Sequence, residues 1–246
     1  MFNLTKKLVM ILLFIGTFLF AENKELPKNE ISKIEQLEIF KKASIKILKA
    51  YDAGSLYILT ISVHGNKDEI YLTKDKKFII SGTVVNVSNE MQVSAPVDLS
   101  ITKDKEAFVY GNGKDEYVLF TDPECPFCKK FESYLPEIKD KVKIRVFFYP
   151  LDFHENARDL SLYILSQKTT SQKIDALYEF NIGDNLSKVK NAKYSKSELS
   201  KLEKQLNEHI KIATELNIQG TPALFDKNGN SIVWVNMLEK YGIEVK

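Results

Sequence analysis

Cys125-Pro126-Phe127-Cys128 holds the only two cysteines of this 246-residue chain, and it directly follows the apolar run Tyr117-Val118-Leu119-Phe120. A short run of apolar, aromatic and β-branched residues predicts a buried strand. After the second cysteine, Lys129, Lys130, Phe131, Tyr134 and Leu135 continue at helical spacing. The expected local structure is therefore strand, turn and helix, with the Cys125 sulfur at the helix N-terminus. There the unpaired backbone N–H groups and the helix dipole stabilise a thiolate. Pro126 falls at or near the first helical position, where its missing N–H costs nothing and its fixed φ suits the turn. The chemistry this favours is thiol–disulfide exchange.

The rival readings of the pair are half of a zinc site, a copper-binding loop or a structural disulfide. Zinc normally takes four ligands, and His64, His154 and His209 are scattered with no second cysteine pair. No metal and no cofactor is therefore expected. A purely structural disulfide would close a loop of only about four residues and so constrain the unfolded chain little.

The N-terminus bears on compartment. Lys6 and Lys7 precede a mostly apolar stretch from Leu8 to Ala21, which as a helix spans about 21 Å, short of the roughly 30 Å hydrocarbon core. Residues 1–21 are expected to be a signal peptide, cleaved after Ala21, and the chain to be periplasmic. The formal net charge is +2, and removing that segment takes away two lysines and no acids. A near-neutral remainder excludes nucleic acid as a main partner. With no spare cysteines, the exported chain must draw its stability from its core.

The pattern changes near residue 100. Ile31, Ile34, Leu37, Phe40, Ile47, Leu48 and Tyr51 recur at helical spacing, and then Leu56 to Val63, Glu69 to Thr73 and Phe78 to Val87 read as strands of an antiparallel meander. Residues 22–95 are expected as a small α+β unit, marginal alone, whose unpaired outer strand offers a dimer surface. Residues 96–106 are expected as a linker. From 107 to 246 the expected order is Ala107 to Tyr110, the Tyr117 to Thr121 strand, the cysteine helix and a strand at Val142 to Tyr149. A helical region follows from about Asn156 to Asn217, its last helix opening on a capping box at Ser195-Lys196-Ser197-Glu198. Then come Pro222 to Phe225, a turn containing Asn228-Gly229, a strand at Ser231 to Val235 and a helix from about Asn236.

That order, together with Gly220-Thr221-Pro222, resembles a thioredoxin fold. Phe120-Thr121-Asp122-Pro123-Glu124-Cys125-Pro126-Phe127-Cys128-Lys129-Lys130 resembles the active-site region of the periplasmic DsbC/DsbG thiol–disulfide isomerases and reductases, and Glu69 to Gly82 is similar to their N-terminal dimerisation domain. The resemblance implies a cystatin-like α+β domain followed by an α/β thioredoxin-like domain with a helical insertion. It also implies a V-shaped homodimer with two sites facing one cleft, kept reduced by a membrane thiol reductant of the DsbD type. Pro222 is implied to be cis, with the Thr221 backbone pairing with an extended substrate segment. Two departures stand out: there are no cysteines for the additional disulfide some members carry, and the segment linking the domains is short and poorly helical. A third feature separates the chain from thioredoxin itself: Leu119 stands six residues before Cys125, where thioredoxins resemble one another in having a buried acid.

The expected roles follow. Cys125 is the exposed nucleophile, Cys128 resolves the mixed disulfide, and Pro126 and Phe127 between them tune the balance while starting and covering the helix. Thr221 and Pro222 bind substrate, which is an exported cysteine-containing protein. His154 is expected as a surface-loop histidine that can carry protons, His209 as a packing histidine, and Lys129 and Lys130 as solvated. The alternatives are a net thiol oxidase of the DsbA type and a non-enzymatic holdase or metal-carrying chaperone.

Overall fold

The computed structural model describes residues 23–88 and 91–245, so the expected signal peptide at 1–21 lies outside the described residues. The N-terminal part runs β1 (Lys24–Glu25), α1 (Lys28–Glu35), α2 (Glu38–Lys42), β2 (Lys46–Asp52), β3 (Leu56–Val63), β4 (Asn66–Thr73) and β5 (Ile79–Ser81). The five strands form one antiparallel sheet in sequence order. Ile34 and Phe40 from the two helices pack on Ala50, Leu59, Ile70 and Leu72. A separate two-stranded ribbon, β6 (Val85–Asn86) with β7 (Met91–Gln92), follows.

The helical spacing expected through Tyr51 ends at Lys42, because Ser44 turns to φ 51° and the chain then enters β2. The misleading signal has a specific origin. A bulge shifts the β2–β3 register between Ile47 and Lys49, so the buried residues of the strand are Ile47, Ala50 and Tyr51. The bulge turns i, i+2 into i, i+3 on one face, at Ile47 and Ala50, while Tyr51 is buried on the other face with Ile58 and Tyr71, and the three together imitate the helical i, i+3, i+4 spacing. The β3–β4 turn is also tighter than expected. Only His64 and Gly65 turn, both at positive φ (50° and 89°), as a two-residue hairpin with a primed turn requires. The strand expected over Phe78–Val87 is broken at Gly82, φ 98°.

The expected linker at 96–106 is built into the second unit. Val97, Leu99 and Ile101 pack against a cluster containing Val118, Phe120, Phe147 and Ile212, and Val97 N–H donates to Gly229 O at 2.9 Å. Alternating apolar residues at 97, 99 and 101 can cover a hydrophobic face, which a free linker would not need. Gly229 has φ 84°, and a Cβ there would collide with the Val97 carbonyl. Asp98 caps a 3-10 turn at Leu99–Thr102 by accepting from Ser100 N–H at 2.9 Å.

The remaining elements are β8 (Phe108–Tyr110), β9 (Asp115–Thr121), α3 (Pro126–Ile138), β10 (Val142–Phe148), α4 (Ala157–Leu165), α5 (Thr170–Glu179), α6 (Ser187–Lys190), α7 (Lys196–Glu215), β11 (Ala223–Asp226), β12 (Ser231–Ile232) and α8 (Trp234–Lys240). Their sheet has the order β12-β11-β9-β10-β8, with β9 and β10 parallel and the other pairs antiparallel. The crossover between the parallel strands is α3, the cysteine helix. Tyr117 and Leu119 face a core shared with Phe131, Leu135 and Ile138 of α3. Val118 and Phe120 face the opposite core, shared with Ile212 and Ala213 of α7 and with Leu216 just after it. Burial on both faces is why β9 reads as a continuous apolar run and not an alternating one. The expected last strand is shorter and α8 starts two residues earlier, at Trp234. Ser195 caps α7 by accepting from Glu198 N–H at 3.2 Å, while the full reciprocal capping box sits at Thr169 and Gln172 of α5.

His209 of α7 fastens this insertion to the sheet. Its Nδ1 accepts from Phe148 N–H at 3.2 Å and its Nε2 donates to Lys105 O at 2.8 Å. With both nitrogens used in this way the ring is neutral, and burial pushes its pKa from 6.5 down to about 4. A depressed folded-state pKa means the full contribution is present above the unfolded value of 6.5 and is lost as pH falls through 4. The expected loss is ~3 kcal/mol of stability between pH 7.5 and pH 4. Urea unfolding of the wild type and His209→Gln across that range checks this: the wild type should lose more stability on acidification, and parallel curves would refute the assignment.

Candidate active site

β9 delivers Thr121 and Asp122 to the edge of the cysteine turn, and α3 begins there. Cys125 is the N-cap of α3, in an extended conformation, and Pro126 occupies the first turn. The Cys125 N–H donates to Asp122 O at 3.0 Å, and the Asp122 N–H points at Cys128 Sγ at 3.5 Å. Both cysteines are free thiols. Cys128 is fully buried, as its place one turn into the helix requires. Cys125 was expected to be exposed and is only 4% exposed. The reason is the Thr221–Pro222 loop, which lies over it: the Thr221 carbonyl is 3.4 Å from Cys125 Sγ and accepts from the thiol. The Thr221–Pro222 bond is cis.

The two sulfurs are driven apart electrostatically. A hydrogen bond from Cys128 lowers the Cys125 pKa from 9.0 to about 5, helped by the backbone N–H groups of Cys128 and Phe127 and opposed by burial. Cys128 moves well upward, because it is desolvated, holds the hydrogen bond to Cys125 and faces Glu132. Of the two residues between the cysteines, Phe127 acts on Cys125 through its backbone N–H. The Phe127 ring itself points outward and is 65% exposed, so it does not cover the helix.

Glu132 is the residue that sequence reasoning missed. It lies four residues after Cys128 on the buried face of α3, between Phe131 and Leu135, and is 1% exposed. Oε1 accepts from the Thr121 hydroxyl at 2.6 Å. Oε2 has no hydrogen-bond partner, with the Lys129 ammonium 3.8 Å away. Burial pushes its pKa from 4.5 up to about 7, against the pull of Lys129 and the Thr121 bond. An acid thus stands beside the buried sulfur even though Leu119 of β9 is apolar. The signal was present in the sequence: an acid at a position of the apolar stripe Cys128, Phe131, Leu135.

Lys129 was expected to be solvated and is largely buried, donating to Leu177 O at 2.5 Å. This ties α5 of the insertion to the cysteine helix, as does Tyr178 Oη donating to Glu132 O at 3.2 Å. Lys130 stays exposed. His154, expected as a surface residue, is drawn to the site. Asp122 is fully buried, and its Oδ2 accepts from His154 Nδ1 and from Leu151 N–H, both at 2.8 Å. These partners are 32 and 29 residues away in sequence, which no local pattern reveals. His209 stands apart from the cysteines, on the sheet face described above. Among the described residues, no group of three or more His, Cys, Asp or Glu is placed to hold a metal ion.

Residues 103–236 match the thioredoxin-like domain family. Over 110 residues the chain is 29% identical to a Bordetella avium protein described as a probable thiol:disulfide interchange protein DsbC. That match covers 38% of this chain and 38% of the relative, well under half its length. Among solved structures, the chain is similar to the catalytic domain of Proteus mirabilis ScsC, with 22% identity, 56% of this chain and 89% of that chain covered, and a TM-score of 0.42. It is also similar to Helicobacter pylori DsbG, with 16% identity, coverage of 81% and 100%, and a TM-score of 0.38. With the family match spanning more than half of its residues and a parallel β9–α3–β10 unit carrying the cysteine pair, the chain belongs to the thioredoxin-like domain family.

Proposed function

We propose that this chain is a periplasmic thiol:disulfide interchange protein of the DsbC/DsbG type, which isomerises or reduces non-native disulfides in exported cysteine-containing proteins. The observation that carries the reading is the geometry of the pair: Cys125 caps α3 beneath the Thr221 carbonyl, and Cys128 is buried one turn into the helix. In the proposed cycle the Cys125 thiolate attacks one sulfur of a substrate disulfide. That S–S bond breaks, a mixed disulfide forms and the other substrate sulfur leaves as thiolate. Cys128 then passes its proton to the Glu132 carboxylate and attacks Cys125 Sγ. The substrate leaves reduced, with a Cys125–Cys128 disulfide on the protein, which a membrane reductant of the DsbD type returns to the dithiol. If a substrate thiolate attacks the mixed disulfide first, the substrate leaves isomerised and the protein is already reduced. Thr221 offers its backbone to an extended substrate segment beside Cys125.

The N-terminal unit is read as the cystatin-like dimerisation domain. Its sheet ends on β5, a free edge, and Phe78, Ile79, Ile80, Val85 and Val87 are all exposed there or nearby. An apolar, unpaired edge is a surface that another chain can extend. The second reading, a DsbA-type oxidase, is favoured by one observation, the low Cys125 pKa, because stabilising the thiolate stabilises the reduced form and makes the disulfide more oxidising.

Three outcomes test the proposal. In the wild type, alkylation of Cys125 should be half-maximal near pH 5. Cys128→Ala removes the main stabilising hydrogen bond, so the midpoint should move toward the ordinary thiol value and mixed disulfides with exported proteins should accumulate on non-reducing gels. An unmoved midpoint and no trapped substrate would reject the assigned roles.

Glu132→Gln should slow the resolution step by about a hundredfold, measured by rapid quenching of a preformed mixed disulfide. In the wild type that rate should fall as pH drops through about 7, since only the carboxylate accepts the proton. The same variant should be more stable than the wild type at pH 8 and above by ~3 kcal/mol, because a buried acid whose pKa is raised destabilises the fold once it ionises. A variant with wild-type resolution kinetics removes Glu132 from the chemistry.

Sedimentation of residues 22–246 should give a dimer, and a chain starting at Pro96 a monomer that keeps reductase activity and loses isomerase activity. The second boundary keeps Val97, Leu99 and Ile101 in place over the core. A monomeric longer chain would reject the dimerisation reading.

A further inference from the structure

The loop after β10 is held against the cysteine turn by two carboxylates. Asp122, besides binding Leu151 N–H and His154 Nδ1 through Oδ2, accepts from Glu124 N–H through Oδ1 at 2.8 Å. Glu124 grips the far end of the loop as a fork: Oε2 accepts from Asn156 N–H at 2.6 Å and Oε1 from Asn156 Nδ2 at 2.7 Å. The loop 151–156 is thus pinned at both ends to residues that lie within three positions of Cys125. Such charge-assisted bonds are stronger than neutral ones, and one carboxylate is fully buried, which would cost several kcal/mol were its oxygens unpaired.

What this clamp presents is Phe153. Its ring sits edge-on against His154, with centroids 4.5 Å apart, and is 75% exposed. Large apolar side chains this exposed are few in the second unit. Among the described residues after Val97 they are Phe127, Phe153 and Ile182. Phe127 lies between the two cysteines, and Phe153 crowns the loop that the cysteine turn holds. The clamp fixes the backbone on both sides of Phe153 and the His154 ring beside it, and a loop ordered before binding reduces the ordering cost of binding.

We infer that Phe153, together with Phe127, is a specificity-determining residue that selects polypeptide segments with an apolar or aromatic side chain next to the reacting cysteine. The inference deepens the exchange reading and rests on it. A segment paired with the Thr221 backbone on one side of Cys125 lays its neighbouring side chains against these rings on the other. The chemistry suits non-native disulfides, whose flanking apolar residues are exposed when they should be buried. A native disulfide in a folded protein offers no such neighbours. Asp122 and Glu124 act here as positioning residues.

The test uses the full-length protein in its reduced form and two peptides, each carrying one cysteine as a mixed disulfide with glutathione, one with leucines and one with serines beside that cysteine. The wild type should prefer the leucine peptide by about tenfold in kcat/KM, with the difference in KM. In Phe153→Ala, a change at an exposed position that should not disturb folding, the preference should drop to within about twofold, and Phe153→Leu should retain most of it. No reaction with either peptide would reject the exchange reading along with the inference. Reaction without preference in the wild type, or the same preference in Phe153→Ala, would overturn the inference and leave exchange standing.

Discussion

The pairing of two sulfurs one helical turn apart dominates the electrostatics of this site, and the cysteine turn holds them there. The hydrogen bond from Cys128 is the largest influence lowering the Cys125 pKa, while burial, with that bond and Glu132 behind it, raises that of Cys128. The bond depends on Cys125 being the N-cap of α3, with Pro126 fixing the turn. It depends too on β9 ending where the Asp122 backbone can touch both cysteines, its carbonyl taking Cys125 N–H and its N–H reaching Cys128 Sγ. The Thr221 loop closes the site from above, which keeps water from competing for the sulfurs and strengthens the electrostatic effect of every nearby dipole.

The same helix carries its charges inward at a cost. Glu132 has one oxygen bonded to Thr121 and the other without a partner, and Lys129 is buried against the insertion. An apolar residue of similar size at Glu132 would suit the core better, since unpaired buried polar atoms are expensive. Retaining such a group beside a thiol that must lose a proton is the usual compromise between stability and activity. The insertion helices take part in it: α5 satisfies Lys129 through Leu177 and reaches the Glu132 backbone through Tyr178, so the segment between β10 and β11 supports the acid as well as covering the sheet.

What could be read from the sequence was what is local. The strand, N-cap and helix around Cys125 announce themselves over about twenty consecutive residues, because the apolar run, Pro126 and the helical stripe all act at short range. The both-face burial of β9 follows from Tyr117-Val118-Leu119-Phe120 alone. The misreadings were of two kinds. In β2 a bulge together with burial of Tyr51 on the opposite face made Ile47, Ala50 and Tyr51 imitate helical spacing, an ambiguity periodicity cannot remove. The Asp122–His154 pair joins residues 32 positions apart, and so required the fold itself. Glu132 belongs to neither kind. Its place on the buried stripe was visible, but the place where thioredoxins resemble one another in having a buried acid drew attention to Leu119, on the strand, when the acid stands on the helix.

The position of that acid bears on which way the proposed cycle runs. After the mixed disulfide forms, two thiols compete for it: Cys128, which must first lose its proton to Glu132, and any free thiol of the substrate. The raised pKa of Cys128 restrains its attack, and Glu132, poised at about 7 with its carboxylate well populated near neutral pH to accept the proton, keeps that attack from being abolished. Restraint lengthens the life of the mixed disulfide and gives the substrate time to rearrange, which is isomerisation. A Cys128 that deprotonated freely would end nearly every encounter in reduction. Holding the substrate meanwhile then matters as much as attacking it, because a tethered thiol acts at a high effective concentration. That favours a binding surface beside Cys125 and a second site within reach of the same substrate. The redox potential alone cannot distinguish these outcomes: about 30 mV corresponds to only ~1.4 kcal/mol for a two-electron couple, whereas the partitioning between Cys128 and a substrate thiol is set by rates.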